Sequence, residues 1–204
     1  MNFPICNHTA IFLAARTEMT EQQAAKLWCV KSGAIRIDTL TPEAGTCKPR
    51  FLRLALKGDL IGVERLAAMP EQLRLTAITP SCLSPVNLAD EQQWQQCVMQ
   101  ALLSAHQRHR EAMDLRCGTV EERVRKLLQL LADSGREDTD TDLPCTLPSL
   151  GNMADILLST RETICRALTH LRDTHMLEDQ NPAQLKRRRL ENRSHLIRNI
   201  QALQ

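Results

Sequence analysis

Arg161, Glu162 and Arg166 lie in the run Ser159-Thr160-Arg161-Glu162-Thr163-Ile164-Cys165-Arg166, and these residue types suit the edges of base pairs. Arginine donates two hydrogen bonds to guanine O6 and N7, and glutamate accepts one from cytosine N4. The stretch predicts the start of an amphipathic helix. On it Glu162 and Arg166, four apart, share a face, and Arg161 flanks that face. So placed, the three would be the base-reading residues of a recognition helix in a helix-turn-helix. The same letters also have a purely local reading. Ser159-x-x-Glu162 has the form of a capping box, which would make Glu162 a helix-start residue and leave both arginines as surface charges. The octapeptide alone supports both readings, and its surroundings favour the first.

Gly151-Asn152-Met153-Ala154-Asp155-Ile156-Leu157-Leu158 precedes the run, and Ala167-Leu168-Thr169-His170-Leu171-Arg172-Asp173-Thr174-His175-Met176-Leu177 follows it. The whole resembles the winged helix-turn-helix of the CRP/FNR family of bacterial transcription regulators. The family pattern is a short helix, a tight turn, then Ser/Thr-Arg-Glu-Thr-x-x-Arg-x-Leu-x-x-Leu and a hydrophobic exit to the wing. The resemblance puts Arg161, Glu162 and Arg166 on the family's base-reading positions. It makes Ser149, Ser159 and Thr160, at the two helix starts, phosphate contacts. Two departures stand out. Leu158 occupies the place where the turn usually carries glycine, which predicts a distorted turn. Ser149-Leu150 keeps the first helix's cap but lacks the arginine that in the family follows it and helps hold a phosphate.

The 204 residues, 43% of them hydrophobic, suffice for two small domains or one large one with a real core. With two Trp, three Phe and no Tyr, the chain lacks the exposed rings on which single-stranded nucleic acid stacks. The net charge of +2 says little; its distribution says more. From Gln184 to Gln204 the bases Lys186, Arg187, Arg188, Arg189, Arg193 and Arg198 face one acid, Glu191. By itself such a run is as often a solvated face. Beside a helix-turn-helix, Lys186, Arg187, Arg188 and Arg189 become expected phosphate contacts in a wing or tail. No secretory leader or membrane-spanning apolar run is read, so the chain is expected in the cytoplasm, with no membrane partner. Its eight cysteines form no C-x-x-C and match no zinc or iron–sulfur frame, and are expected as free thiols.

The elements that would position the helix-turn-helix make an α+β chain. Residues 1–88 read as short strands near Thr9–Ala15, Lys26–Val30, Ala34–Leu40, Phe51–Leu56, Leu73–Ile78 and Cys82–Val86, a small barrel or jelly roll. Lys31-Ser32-Gly33 reads as the turn joining the second and third strands. Leu27 to Ile37 and Leu56-Lys57-Gly58-Asp59-Leu60-Ile61-Gly62 are similar to the family's cyclic-nucleotide-binding-like β-roll, here shortened at its start by an initial helix. Residues 89–117 read as one long helix. Along it Trp94, Val98, Ala101, Ala105, Arg108, Ala112 and Leu115 recur at alternating four and three residues, a heptad-like seam. In the family this helix pairs two subunits, so the resemblance implies a homodimer through Trp94, Val98, Ala101, Ala105, Ala112 and Leu115. A helix packed on its own roll would show the same period. Residues 118–204 read as the winged helix-turn-helix domain. It is entered through Gly118, which suits a helix end, and through the capping box Thr119 to Glu122.

Family members that bind cyclic AMP hold its phosphate with a Gly-Glu turn and a later arginine followed by Ser or Thr. Gly62, Glu64 and Arg74 are the counterparts of that effector pocket here, each displaced by one residue. In a strand such a slip turns a side chain to the other face. The family's adjacent hydroxyls on the long helix have no counterpart near Gln107-Arg108-His109. Cyclic AMP is therefore not expected. An iron–sulfur cluster is not expected either, because only Cys6 lies near the N-terminus, where that branch of the family clusters its cysteines. His106 and His109, with Cys97 nearby, have the residue types of a metal site, but solvated helix positions are the commoner case, and no metal is expected. No catalytic constellation is read. The sequence thus reads as a homodimeric, sequence-specific transcription regulator and not an enzyme. Its partners would be double-stranded DNA, a second copy of itself and RNA polymerase, with the effector undefined. The alternative is a small-ligand or redox sensor module that acts through a protein partner.

Overall fold

The computed structural model describes residues 10–43, 46–63, 72–87, 90–134, 145–174 and 189–190. The chain divides into two compact units, Met1–Glu111 and Ala112–Gln204.

In the first unit, alternating apolar residues build two antiparallel sheets. The strands are β1 (Ile11–Leu13), β2 (Trp28–Ser32), β3 (Ile35–Glu43), β4 (Thr46–Ala55), β5 (Leu60–Ile61), β6 (Leu73–Ala77) and β7 (Ser81–Pro85). One sheet runs β1-β7-β2-β5 and the other β4-β3-β6. Trp28, Val30, Ile35, Ile37, Ala55, Ile61, Leu75, Ala77 and Leu83 join in one buried cluster drawn from both sheets. Fully burying a side chain of this size contributes roughly 1.5–3 kcal/mol. A short helix, α1 (Glu21–Ala24), precedes β2. Thr20 caps it, with Gln23 closing the box, and the Trp28 indole N–H donates to the Gln23 carbonyl at 2.7 Å. The sequence reading had no element there.

Lys31-Ser32-Gly33 is not a hairpin turn. β2 pairs with β5 and β7, whereas β3 pairs with β4 and β6, so the chain crosses between sheets at Gly33. Its φ is +85°, and a Cβ there would lie 2.3 Å from the Pro80 carbonyl oxygen. Pro80 belongs to the other crossing, between β6 and β7. The two corners are laced together: the Ala34 N–H donates to Thr79 Oγ1 at 2.9 Å, and the Ile78 N–H donates to the Ala34 carbonyl at 2.9 Å.

The long helix α2 spans Glu91–Asp114. Alternation along β2 sends Trp28 and Val30 into the roll and leaves Cys29 for the opposite face. There Cys29 clusters with Leu27, Leu60, Val63 and Val86 against Cys97 and Ala101 of α2. Burial pushes the Cys29 and Cys97 thiols above their ordinary pKa. Further along, Arg108 Nε donates to Asp59 Oδ2 at 2.7 Å, and Arg108 Nη1 to Glu111 Oε2 at 2.6 Å. The same Asp59 oxygen accepts the Leu56 N–H at 2.8 Å. Burial raises the Asp59 pKa, against the pull of these hydrogen bonds.

This packing turns part of the expected seam inward. Ala101 is 7% exposed, and Ala112 and Leu115 are likewise buried within the chain itself. Trp94, Val98 and Ala105 are half-buried, and Val98 packs against the roll's apolar cluster. The apolar row left in the open is another one: Met99 (60%), Leu102 (58%), Leu103 (65%) and Met113 (68%). Met99, Leu103, His106, Arg110 and Met113 also recur at four and three residues, so both faces carry the same period. The roll's apolar cluster and Asp59 decide which face turns inward.

The second unit holds α3 (Val120–Ser134), α4 (Leu150–Ile156), α5 (Arg161–Asp173) and an antiparallel ribbon of β8 (Cys145–Thr146) and β9 (Arg189–Leu190). Gly118 has φ +90°, and the Thr119–Glu122 box forms, with the Thr119 N–H donating to Glu122 Oε2 at 2.7 Å. Val124, Leu127, Leu128 and Leu131 of α3 are buried, as are Met153 and Ile156 of α4 and Ile164, Leu168 and Leu171 of α5. Arg123 Nη1 donates to the Leu157 carbonyl at 2.8 Å, satisfying a backbone acceptor that the end of α4 leaves open.

Candidate nucleic-acid interface

α4 begins at Ser149, whose Oγ accepts the Asn152 N–H at 3.2 Å. The helix ends at Ile156, and the chain turns through Leu158, whose φ is +49°. Leu158 takes the left-handed conformation that glycine would take, and the Ser159 N–H donates back to the Ala154 carbonyl at 2.9 Å. A side chain in that region costs roughly 1–2 kcal/mol. The turn tolerates it because Leu158 points out, 70% exposed, while Ile156 and Leu157 are buried on the other side.

The cap of α5 is Thr160. Its Oγ1 accepts the Thr163 N–H at 3.2 Å, and its backbone is extended. Ser159 therefore lies one residue outside the cap, and the Ser159–Glu162 capping box does not form. Glu162 is left facing outward, in an exposed ion pair with Arg166 one turn on. Such pairs contribute roughly 0.3–0.5 kcal/mol, so base edges can compete for both groups. The 3.6-residue period divides α5 cleanly. Ile164, Ala167, Leu168 and Leu171 face the core, while Arg161, Glu162, Arg166, Thr169 and His170 are exposed. Glu162 in the first turn and Arg172 in the last also match the helix dipole.

The Arg161 side chain lies beside the neighbouring helix. A Cβ built on Gly151 of α4 would lie 3.2 Å from Arg161 Nη2 and 3.4 Å from its Nε. The structure thus brings Arg161, Glu162 and Arg166 to the open front of α5. Ser149 and Thr160 are at the helix starts, and Ser159 is half-buried in the turn. Arg189 belongs to β9, its backbone opposite Thr146. Lys186, Arg187 and Arg188 lie outside the described residues.

Of the expected effector pocket, Gly62 and Arg74 are otherwise engaged. Gly62 has φ +96°, and a Cβ there would lie 2.3 Å from the Lys26 carbonyl oxygen, so a close backbone approach explains this glycine. Arg74 sits on β6 with its Nη2 2.7 Å from Glu18 Oε2, and Glu64 lies outside the described residues. The histidine–cysteine set also separates. Cys97 is buried in the apolar cluster, His106 is exposed, and His109 Nδ1 lies 2.7 Å from the carbonyl of Ala105. Among the described residues no helix is long and apolar enough to cross a membrane.

No family model matches the sequence, and no curated protein matches it. Many solved structures do match, and several are CRP/FNR-family transcriptional regulators. A CRP-family regulator from Thermus thermophilus superposes with a TM-score of 0.63 at 20% identity, over 94% of this chain and 96% of that one. A CRP/FNR-family regulator from the same organism gives 0.56 at 16%, over 95% and 98%. FixK2 from Bradyrhizobium japonicum gives 0.59 at 20%, over 93% and 96%. The chain has the fold of the CRP/FNR regulators, a cyclic-nucleotide-binding-like β-roll followed by a C-terminal helix-turn-helix.

Proposed function

We propose that this chain is a homodimeric, sequence-specific DNA-binding transcription regulator that works without cyclic AMP and without catalysis. The observation that carries the reading is the outward face of α5, where Arg161, Glu162 and Arg166 stand exposed at the helix start while the opposite face is buried. Laid in a major groove, that face offers donors to guanine and an acceptor to cytosine. Ser149, Ser159, Thr160 and the basic run Lys186 to Arg189 would hold the flanking phosphates and fix the register. RNA polymerase is the further partner such a regulator needs, and the cytoplasm is where it would work.

Pairing supplies the second groove. In this reading two copies meet along the open row of Met99, Leu102, Leu103 and Met113 rather than along Ala101 and Ala112. Their recognition helices then reach successive major grooves about 34 Å apart. Independence from cyclic AMP is supported by Arg108, which binds Asp59 and so fastens α2 to the roll through the chain's own side chains. Selection of binding sites from random duplex DNA tests the function. Two symmetry-related half-sites one helical turn apart are expected, and recovery of unselected sequence at physiological salt would defeat the proposal.

A further inference from the structure

Gly151 is the second residue of a short helix, where glycine is less favourable than alanine. Its presence asks for a reason. It does not have the positive φ found at Gly33, Gly58, Gly62 and Gly118, so conformational freedom is not that reason. What lies beside the place of its missing side chain is the Arg161 guanidinium, with Nη2, Nε and Cζ all within 3.6 Å of an ideal Cβ, where any longer side chain would press on it. Arg161 itself is the first residue of α5, its backbone fixed by the Thr160 cap.

We infer that Gly151 is the positioning residue for Arg161, its bare backbone giving the guanidinium a seat on α4 before DNA arrives. An arginine on an exposed helix start otherwise samples many rotamers and loses that freedom on binding. A seated guanidinium loses less, and its donors point in a direction set by α4 as well as by α5. The first turn of α4 reads Leu150-Gly151-Asn152-Met153 and has no cationic side chain, so only the helix's own N-terminal dipole opposes the seated charge. Discrimination at the base pair read by Arg161 therefore depends on residue 151. The inference rests on the DNA-binding reading above.

The test is a double-mutant cycle on a duplex selected from a random library, read by fluorescence anisotropy. Each base pair of the half-site is substituted in turn and measured with wild type, Gly151→Leu, Arg161→Ala and the double variant. Arg161→Ala should lose roughly tenfold discrimination at one base pair. Gly151→Leu, which must evict the guanidinium, should lose most of that discrimination at the same base pair, and the double variant should lose no more. Affinity for unselected DNA should not change in Gly151→Leu, since no charge is removed. Leucine and alanine at 151 both favour the helix, so the melting temperature should not fall. Should the leucine variant misfold, Gly151→Ala keeps the test, since its Cβ at 3.2 Å forces a shift and predicts a partial loss. Selective binding that depends on Arg161 but is indifferent to residue 151, or losses that multiply in the double variant, would overturn this inference alone. A wild-type chain without sequence preference would overturn the DNA-binding reading with it.

Discussion

Leu103→Glu should convert a dimer into folded monomers. Met99, Leu102, Leu103 and Met113 are each more than half exposed on one side of α2. Covering the exposed part of such a side chain is worth about 1–2 kcal/mol, scaled from roughly 1.5–3 for full burial. Over both protomers the row supplies on the order of 10 kcal/mol, comparable with the roughly 4–15 kcal/mol that association costs. His106 and Arg110, in the same row, add polar atoms that favour one register over stability. A dimer built on this row thus has a narrow margin. A symmetric interface doubles every substitution, and an unpaired carboxylate buried there costs several kcal/mol per ion. The dimer dissociation constant should rise by at least about a thousandfold, the equivalent of roughly 4 kcal/mol. Light scattering at micromolar concentration reads the mass, and affinity for a two-half-site duplex should fall in parallel. Ala101→Glu makes the contrast. It would bury its charge in the cluster with Leu27, Leu60 and Val86 and should lower the stability of the chain rather than split a dimer. If Leu103→Glu remains dimeric while Ala101→Glu gives a well-folded monomer, the assignment of faces is wrong.

Leu158→Gly should stabilise the protein by about 0.5–1 kcal/mol, the left-handed strain relieved less the added chain entropy of glycine; a lower melting temperature would mean that the exposed leucine packs. Thr160→Ala should cost about 1 kcal/mol in urea unfolding and Ser159→Ala much less, and the reverse order would move the cap to Ser159. Glu162→Ala should relax preference at one base pair of each half-site by roughly 1–3 kcal/mol with little change in stability, because its pair with Arg166 is exposed; full specificity with lost stability would return it to a structural role. The Thr119 hydrogen bonds hold the Glu122 pKa below its ordinary 4.5, so its contribution to stability is present above that value and is lost as pH falls through the folded-state pKa. Glu122→Gln should therefore flatten the acid limb of a stability–pH profile, and an unchanged limb would show that other carboxylates set it.

The helix-turn-helix was legible because its determinants are local. Caps, the 3.6-residue period and the Arg-Glu-x-x-x-Arg spacing all lie within a few residues of the atoms they place. Even there the letters left the cap undecided, since Ser159 and Thr160 are both good caps and only the register of α5 separates them. What escaped the sequence was non-local. Gly33 carries the same signal whether it turns a hairpin or crosses between sheets, and the deciding contact is with Pro80. The two faces of α2 share one heptad-like period, and the partner that draws Arg108 inward, Asp59, stands 49 residues away. α1 spans four residues, too few for periodicity to register, although its capping pair Thr20 and Gln23 stood in the sequence.

The two departures from the family pattern bear on one another. Relative to that pattern, the turn has exchanged a glycine for Leu158, and the first helix has Leu150 where an arginine helps hold a phosphate. The turn's exchange costs roughly 1–2 kcal/mol for a leucine in left-handed backbone, and Gly151, next to Leu150, costs roughly 0.5–1 for a glycine in a helix. Neither is offset locally, because Leu158 is exposed and Gly151 has no side chain to pack. The unit accommodates both because Met153, Ile156, Leu157, Ile164 and Leu168 are almost wholly buried, and at roughly 1.5–3 kcal/mol each they outweigh the two costs together. In the inferred arrangement the bare backbone at 151 then lets Arg161 lie against a helix start that has no cationic side chain of its own. On that arrangement the recognition surface would be a property of both helices, and substitutions on α4 should change sequence preference without touching a base.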